Sequence, residues 1–434
     1  MGKKIVFIGG GSPYIPVIVG ELLSTPSCFD ITEIVFISPT EKNVLSISEF
    51  CTALLNEKGV FPRILVSTSV GKNISEADVI FLIYRVGGLN ARKWDESLGK
   101  DLDIICQESQ GVGGFSSALR NIFVLSNISK NIKKFAPNAI VFCLTNPTGI
   151  ITNAAITLGL NAIGVCDAPY ALEQSIARKI DDAPYDDLQF DYIGLNHLGW
   201  ITDVYYKDKS ILENIMDHSI LSDILRLPYD IAVTDEYIDF VRSIRAIPSP
   251  YLGYYYCKRE ILEEQKKSKR IRAEEVENIN QKLYKHFQEK DLNNWPHFFQ
   301  NLRSGYMLGE SLAKYICDLF GNSNGRRHIV CVKNNNVIKN ISQNTVVEVP
   351  VTIEGGEVVP VFKNKNINGN VFALMSSVSE YEQLTVRAGL TGNKEIAILA
   401  LASHPLVGNI DIAVKMFNRI LDVNREFLPQ FEVN

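Results

Sequence analysis

Hydrophobic positions in the first third of the chain fall into two alternating patterns. Short apolar runs rich in β-branched residues lie at 4–8 (Lys-Ile-Val-Phe-Ile), 33–38, 63–67, 78–84, 138–144 and 161–166, and they have the length of buried strands. Between the first two, Ile15, Val17, Ile18, Val19, Leu22 and Leu23 predict a helix over 14–24, and a second helix spans about 41–57. Strands alternating with helices predict a parallel sheet covered on both faces, with ligands at the carboxyl ends of its strands. After about residue 168 the pattern changes. Charged helical stretches at 257–290, 305–320 and 394–430 alternate with strand-like pieces at 328–333, 345–353 and 357–362. The expected organisation is a doubly wound α/β domain over 1–167 followed by a mixed α+β domain over 168–434. With no repeat, low-complexity tract or long linker, the two should pack closely.

Composition narrows the function classes. A chain of 434 residues, 46% of them hydrophobic, is long enough for a substantial core. A net charge of −5 gives no electrostatic reason to expect nucleic acid or an anionic membrane. No apolar stretch reaches the roughly 20 residues of a membrane span, and the amino-terminal apolar run ends in glycines and a proline rather than a signal-peptide pattern. The eight cysteines (28, 51, 106, 143, 166, 257, 317 and 331) occur singly, which predicts reduced thiols and a cytoplasmic location.

Gly9-Gly10-Gly11-Ser12 follows the first strand and opens the first helix, where a Rossmann-like fold binds dinucleotide pyrophosphate. Gly9, Gly11 and Ser12 are the cofactor candidates. The fingerprint G-x-G-x-x-G would place a third glycine at 14, where Tyr14 stands, so the turn alone fits a cofactor site or a plain tight turn. The second strand ends in Ser38-Pro39-Thr40 without the acid that usually selects NAD. Ser38 could bond a ribose hydroxyl instead, and Lys42 could tolerate a 2′-phosphate.

More specific segments follow in order: Arg85 to Arg92, Gln107-Glu108-Ser109-Gln110 with Gly113-Gly114-Phe115, Thr145-Asn146-Pro147, Gly164-Val165-Cys166-Asp167, Asn196-His197-Leu198-Gly199-Trp200, Tyr251-Leu252-Gly253-Tyr254-Tyr255, Arg272-Ala273-Glu274 and Ser403-His404-Pro405-Leu406. Together they resemble glycoside hydrolase family 4, the NAD- and manganese-dependent glycosidases, from Lys4 to about Leu428. That family stands outside the two-carboxylate rule of most glycosidases. The resemblance implies a lactate/malate dehydrogenase-like fold and a redox-assisted route: oxidation at sugar C3, removal of the C2 proton, loss of the C1 substituent, then water addition and reduction. It also implies a homodimer or homotetramer.

The resemblance assigns Cys166 and His197 as ligands of a divalent metal, Mn²⁺ by preference, with substrate oxygens completing the sphere. Taken singly, each residue reads more readily as a buried core cysteine or histidine; it is the two together, each after an apolar run in its own segment, that favour the metal reading. Tyr251 matches the base, although aromatic packing is its other reading and Gly253 replaces an arginine usual in that motif. Arg92 and Arg272 match arginines for the 6-phosphate, and Asn146 matches a substrate-contacting asparagine. Glu108 would orient a metal-bound water or the substrate, Arg85 is a lesser candidate, and His404 would shape the pocket wall. The alternative for Arg92 is a solvated pair with Asp95 or Glu96, and for Arg272 an ordinary surface charge. Asp167 matches the acid that protonates the leaving oxygen in 6-phospho-α-glucosidases, and Gly199-Trp200 leans the same way. More of the chain, around Val86-Gly87-Gly88-Leu89, Ala118-Leu119-Arg120 and residues 403–406, looks like the β branch. The expected activity is therefore hydrolysis of 6-phospho-β-glucosides, with a phosphorylated disaccharide or glucoside as small-molecule partner. The alternatives are a 6-phospho-α-glucosidase, a lactate/malate-type dehydrogenase and a non-catalytic sugar-phosphate or NAD sensor.

Overall fold

The computed structural model describes residues 2–24, 30–180, 183–225, 233–293, 295–302, 305–321, 325–361 and 367–432. Of Lys42 only the backbone is described, and position 362 of the last strand-like piece lies outside the described residues. Six parallel strands form the amino-terminal half: β1 (Lys3–Ile8), β2 (Ile31–Ile37), β3 (Arg63–Ser67), β4 (Val79–Leu82), β5 (Ile140–Cys143) and β6 (Ala162–Gly164). Their spatial order is β3-β2-β1-β4-β5-β6. That is the dinucleotide-binding order, in which the chain reverses direction across the sheet between β1 and β4 and leaves a crevice there. Helices α1 (Ile15–Ser24), α2 (Glu41–Glu57), α3 (Gly88–Ser97), α4 (Gly111–Phe135) and α5 (Thr148–Thr157) are interleaved with these strands, and α6 (Asp167–Ala177) follows β6.

The second half extends the same sheet. The hairpin of β7 (Leu188–Leu195) and β8 (Leu198–Tyr206) and the pair β9 (His328–Lys333) and β10 (Val346–Glu354) are antiparallel. One single-residue pairing, Cys331 with Gly164, stitches the halves together, and another, Glu348 with Gly194, joins the hairpin to β10 within the second half. A side chain at Gly164 would place its Cβ 2.8 Å from the Cβ of Cys331, so the join needs a glycine. One apolar cluster spans both halves, from Phe7, Phe36, Phe81 and Phe142 on the parallel strands to Trp200 and Val349.

The helical stretches are resolved more finely than their sequence pattern. Residues 257–290 form two helices, α7 (Lys258–Lys267) and α8 (Arg272–Glu289), and α9 covers Tyr306–Phe320. Residues 394–430 contain α11 (Lys394–Ser403) and α12 (Ile410–Asn424). The preceding 23-residue α10 (Gly369–Thr391) packs on α4 and α5. One expectation is corrected: Cys317 is disulfide-bonded, whereas Cys51, Cys106, Cys143, Cys166, Cys257 and Cys331 are free and buried. Among the described residues, no helix is long and apolar enough to cross a membrane.

Candidate active site

A cleft of about 1900 Å³ opens at the carboxyl ends of β1, β2, β4 and β5. Its floor begins at the glycine turn. Gly9 has φ 103°, and a Cβ there would lie 2.5 Å from the Ile83 carbonyl oxygen, so only glycine fits. The N–H groups of Gly9 and Gly10 both bond the Ile37 oxygen, at 2.9 and 2.7 Å, which folds the turn over the end of β2. Gly11 and Ser12 then line the cleft just before α1, where free N–H groups favour a phosphate. Tyr14 is accommodated because its ring fills the space that a side chain at Gly305 would occupy, and it meets Phe299 edge-on. Ser38 is buried at the end of β2, its N–H on the Ser67 oxygen (3.0 Å) and its Oγ accepting from the Thr40 N–H (3.3 Å).

Deeper in the cleft, Cys166 sits in the N-cap position of α6, with the Ala168 N–H 3.5 Å from its Sγ. His197 occupies the tight turn between β7 and β8 with φ 62°, a left-handed conformation that a non-glycine residue adopts at a cost. Cys166 Sγ lies 3.3 Å from His197 Nε2. Metal–ligand lengths of about 2.3 Å to sulfur and about 2.1 Å to nitrogen place two such donors roughly 3.1–3.6 Å apart, so the pair fits one metal ion. Among the described residues no group of three or more His, Cys, Asp or Glu side chains could hold a metal. A cation held by Cys166 and His197 would need further donors beyond these two, of the kind that substrate oxygens or water supply. Burial pushes the Cys166 thiol well up, with Asp167 and Glu348 adding to it, and lowers His197 to about 4. Loading a metal thus requires the thiol to give up its proton.

Tyr251 lies flat on the imidazole of His197, ring centroids 3.7 Å apart and planes 5° from parallel. It is placed by a short helical turn, Pro250–Leu252, whose Ser249 N–H bonds the Gly199 oxygen beside the hairpin. Asp167, the first residue of α6, lines the cleft with its Oδ1 3.8 Å from Cys166 Sγ.

On the opposite wall, Glu108 Oε2 is held by Arg85 at 2.5 Å and Arg92 at 2.7 Å, and its Oε1 is 3.4 Å from Asn146 Nδ2. Arg92 also bonds Glu96 at 2.6 Å, and both side chains are about 6% exposed. Its pair with Glu96 is thus real but desolvated, and Asp95 instead faces the buried Arg120 at 2.6 Å. Arg272 lies at the rim, 54% exposed and bonded to Glu275 at 2.7 Å. Glu96 accepts from the Ala273 N–H (2.7 Å), which ties the start of α8 to α3. His404 lies away from the cleft lining, buried against Tyr381 and Tyr255. All the candidate cofactor, metal, base, acid and substrate residues therefore line one cleft.

Sequence reasoning missed the groups behind the candidate metal ligands Cys166 and His197. Ser109 Oγ is 2.7 Å from His197 Nδ1, and Asn196 Nδ2 donates to the buried Glu348 (3.1 Å). Ser109 and Asn196 adjoin candidate residues in the chain, so proximity was the available signal. Glu348, from a distant strand, carried none.

The family 4 glycosyl hydrolase profile matches residues 4–181, and the family 4 glycosyl hydrolase C-terminal domain profile matches 192–407. The chain belongs to glycoside hydrolase family 4. Within the family it is 30% identical over 430 residues to the 6-phospho-beta-glucosidase BglT of Thermotoga maritima, covering 98% of this chain and 99% of that one. The structure of the Thermotoga enzyme with manganese, NAD+ and glucose-6-phosphate superposes with a TM-score of 0.87 at 29% identity, over 98% of this chain and 99% of that one. The phospho-alpha-glucosidase PagL of Clostridium acetobutylicum is 25% identical, covering 98% of each. A malate dehydrogenase from Plasmodium falciparum (14% identity, TM-score 0.54, 89% of this chain and 98% of that one) shares the fold alone.

Proposed function

We propose that this family 4 member hydrolyses 6-phospho-β-glucosides to glucose 6-phosphate and an alcohol, using NAD+ and a divalent metal ion, Mn²⁺ by preference. The observation that carries the reading is the convergence of the glycine turn, the Cys166–His197 pair, stacked Tyr251 and the arginine–glutamate wall on one cleft. The greater identity to a 6-phospho-beta-glucosidase than to a phospho-alpha-glucosidase supports the β anomer. When bound, the dinucleotide would supply reversible hydride acceptance at sugar C3 and the metal ion would supply Lewis acidity at the C3 oxygen.

The chain's own residues do the rest. Gly9, Gly11 and Ser12 hold the pyrophosphate at the amino end of α1, and Ser38 faces the adenosine ribose. Cys166 and His197 hold the cation and, through it, orient the sugar ring. The Tyr251 phenolate oxygen takes the C2 proton, and a nearby cation favours its ionised form. Asp167 gives a proton to the departing oxygen or directs a water there. Arg92 and Arg272 receive the 6-phosphate, Asn146 bonds a sugar hydroxyl, and Glu108 fixes the guanidinium groups of Arg85 and Arg92. Residues 1–167 would form the dinucleotide half and 168–434 the substrate half, within a homodimer or homotetramer.

The test is p-nitrophenol release from p-nitrophenyl β-glucoside 6-phosphate with NAD+ and Mn²⁺ under reducing conditions, with the α anomer in parallel. Release from the β anomer is expected. Release from the α anomer alone would move the assignment to 6-phospho-α-glucosidase, a reading that Asp167 beside Cys166 favours. Release from neither, or full activity retained by Cys166→Ser, would overturn the metal-dependent glycosidase.

A further inference from the structure

The turn at Gln107–Gln110 serves two walls of the cleft at once. Cys106 pairs with Gly111 and Gln107 with Gln110, a tight antiparallel turn whose two tip residues point apart. Glu108 goes to Arg85 and Arg92, and Ser109 goes to the imidazole of His197. Ser109 is buried, and so is His197.

The hydrogen-bond inventory of this turn leaves one arrangement. Gln107 Oε1 is an acceptor only, and it lies 2.7 Å from both the Ser109 N–H and the Ser109 Oγ. The single hydroxyl proton of Ser109 is therefore spent on Gln107. Its oxygen can then only accept from His197 Nδ1, 2.7 Å away, so Nδ1 carries the imidazole proton. That leaves Nε2, which faces Cys166 Sγ at 3.3 Å, with its lone pair free. Stacking on Tyr251 fixes the ring plane from a third side.

We propose that Ser109, oriented by Gln107, is a positioning residue that locks His197 in the Nδ1–H tautomer and so prepares Nε2 as a metal ligand. This rests on the assignment of Cys166 and His197 as the metal pair. Outer-shell partners of ligating histidines set ring orientation and basicity, and their loss lowers metal affinity by about 10–100-fold. The same turn couples that ligand to Glu108, so the metal side and the arginine side of the cleft share one short segment.

Two measurements test it. Mn²⁺ titration of the full chain, read by electron paramagnetic resonance, should show dissociation constants about 10–100-fold weaker for Ser109→Ala. Ser109→Thr, which keeps the hydroxyl, should bind Mn²⁺ near the wild-type level. NAD+ affinity of Ser109→Ala should stay close to wild type, while leaving the buried His197 Nδ1–H without its acceptor should lower the thermal midpoint modestly with the fold retained. Independently of any variant's folding, the ¹⁵N-labelled His197 ring in the metal-free wild type should report a protonated Nδ1 and a bare Nε2. Equal Mn²⁺ affinity in Ser109→Ala, or a protonated Nε2 in the wild type, would overturn the positioning role alone. Failure of the wild type to bind Mn²⁺ would instead overturn the metal site on which it rests.

Discussion

His197 shows how much one side chain depends on its neighbours. Its backbone is left-handed, one face lies on Tyr251, and its two nitrogens face Ser109 and Cys166. The two phosphate candidates differ as sharply. Arg92 is buried between two carboxylates, whereas Arg272 is half exposed with one partner. Removing one partner of a buried ion pair leaves an unpaired charge and costs about 3–5 kcal/mol, so Arg92→Ala should unfold measurably earlier in urea. Arg272→Ala should change stability by no more than about 0.5 kcal/mol. Its effect should appear as a raised KM for the phosphorylated substrate with kcat little changed, because phosphate binding is shared by ground and transition states. A large stability loss in Arg272→Ala, or none in Arg92→Ala, would reverse the distinction drawn from burial.

At the scale of elements, α3 is anchored to the rest of the molecule through a buried ion pair. Asp95 on α3 bonds the guanidinium of Arg120 on α4 through both oxygens, at 2.9 and 2.6 Å. Arg120 also bonds Asn424 at the end of α12 (2.8 Å) and the Val86 oxygen at the approach to α3 (3.3 Å). A helix near the end of the described chain thus braces the one that carries Arg92. Asp95→Ala should cost about 3–5 kcal/mol, read from chemical denaturation, by stranding Arg120 in the core. A variant as stable as wild type would show that solvent reaches Arg120. Helix α4 also explains one gap in the sequence reading. Its first turn, Gly111-Val112-Gly113-Gly114, has poor helix propensity and reads as loop. Yet a Cβ at Gly113 would lie 2.5 Å from the Gln107 oxygen, so the glycines are there to let the helix approach the active-site turn.

For the whole molecule, the buried acids behind the cleft set the response to pH. Glu382, on α10, is pushed up from 4.5 to about 8 by burial and then by Glu348. Between those values the folded protein holds a proton that the unfolded chain has released, so stability falls as pH rises through that window. A tenfold change in a proton's affinity corresponds to about 1.4 kcal/mol, which makes the loss a few kcal/mol across the window. Glu173 and Glu348, raised by burial to about 8 and about 7, act in the same direction. Glu382→Gln should therefore flatten the slope without abolishing it, measured as urea midpoints from pH 5 to 8.5, and an unchanged slope would exclude a contribution from Glu382. The strand pattern, the glycine turn and the ordered segments from Arg85 to His404 were legible along the chain because each is a local matter of period, backbone space or adjacent residues. They determined the α/β class, the Rossmann-like first half and the family resemblance. Only the tertiary structure decided that β6 and β9 join two halves into one sheet, that Arg92 is buried and Arg272 is not, and that Ser109 and Glu348 stand behind the candidate metal pair. Those outcomes depend on burial and on pairings across more than a hundred residues, such as Gly164 with Cys331 and Asn196 with Glu348, which no local pattern records.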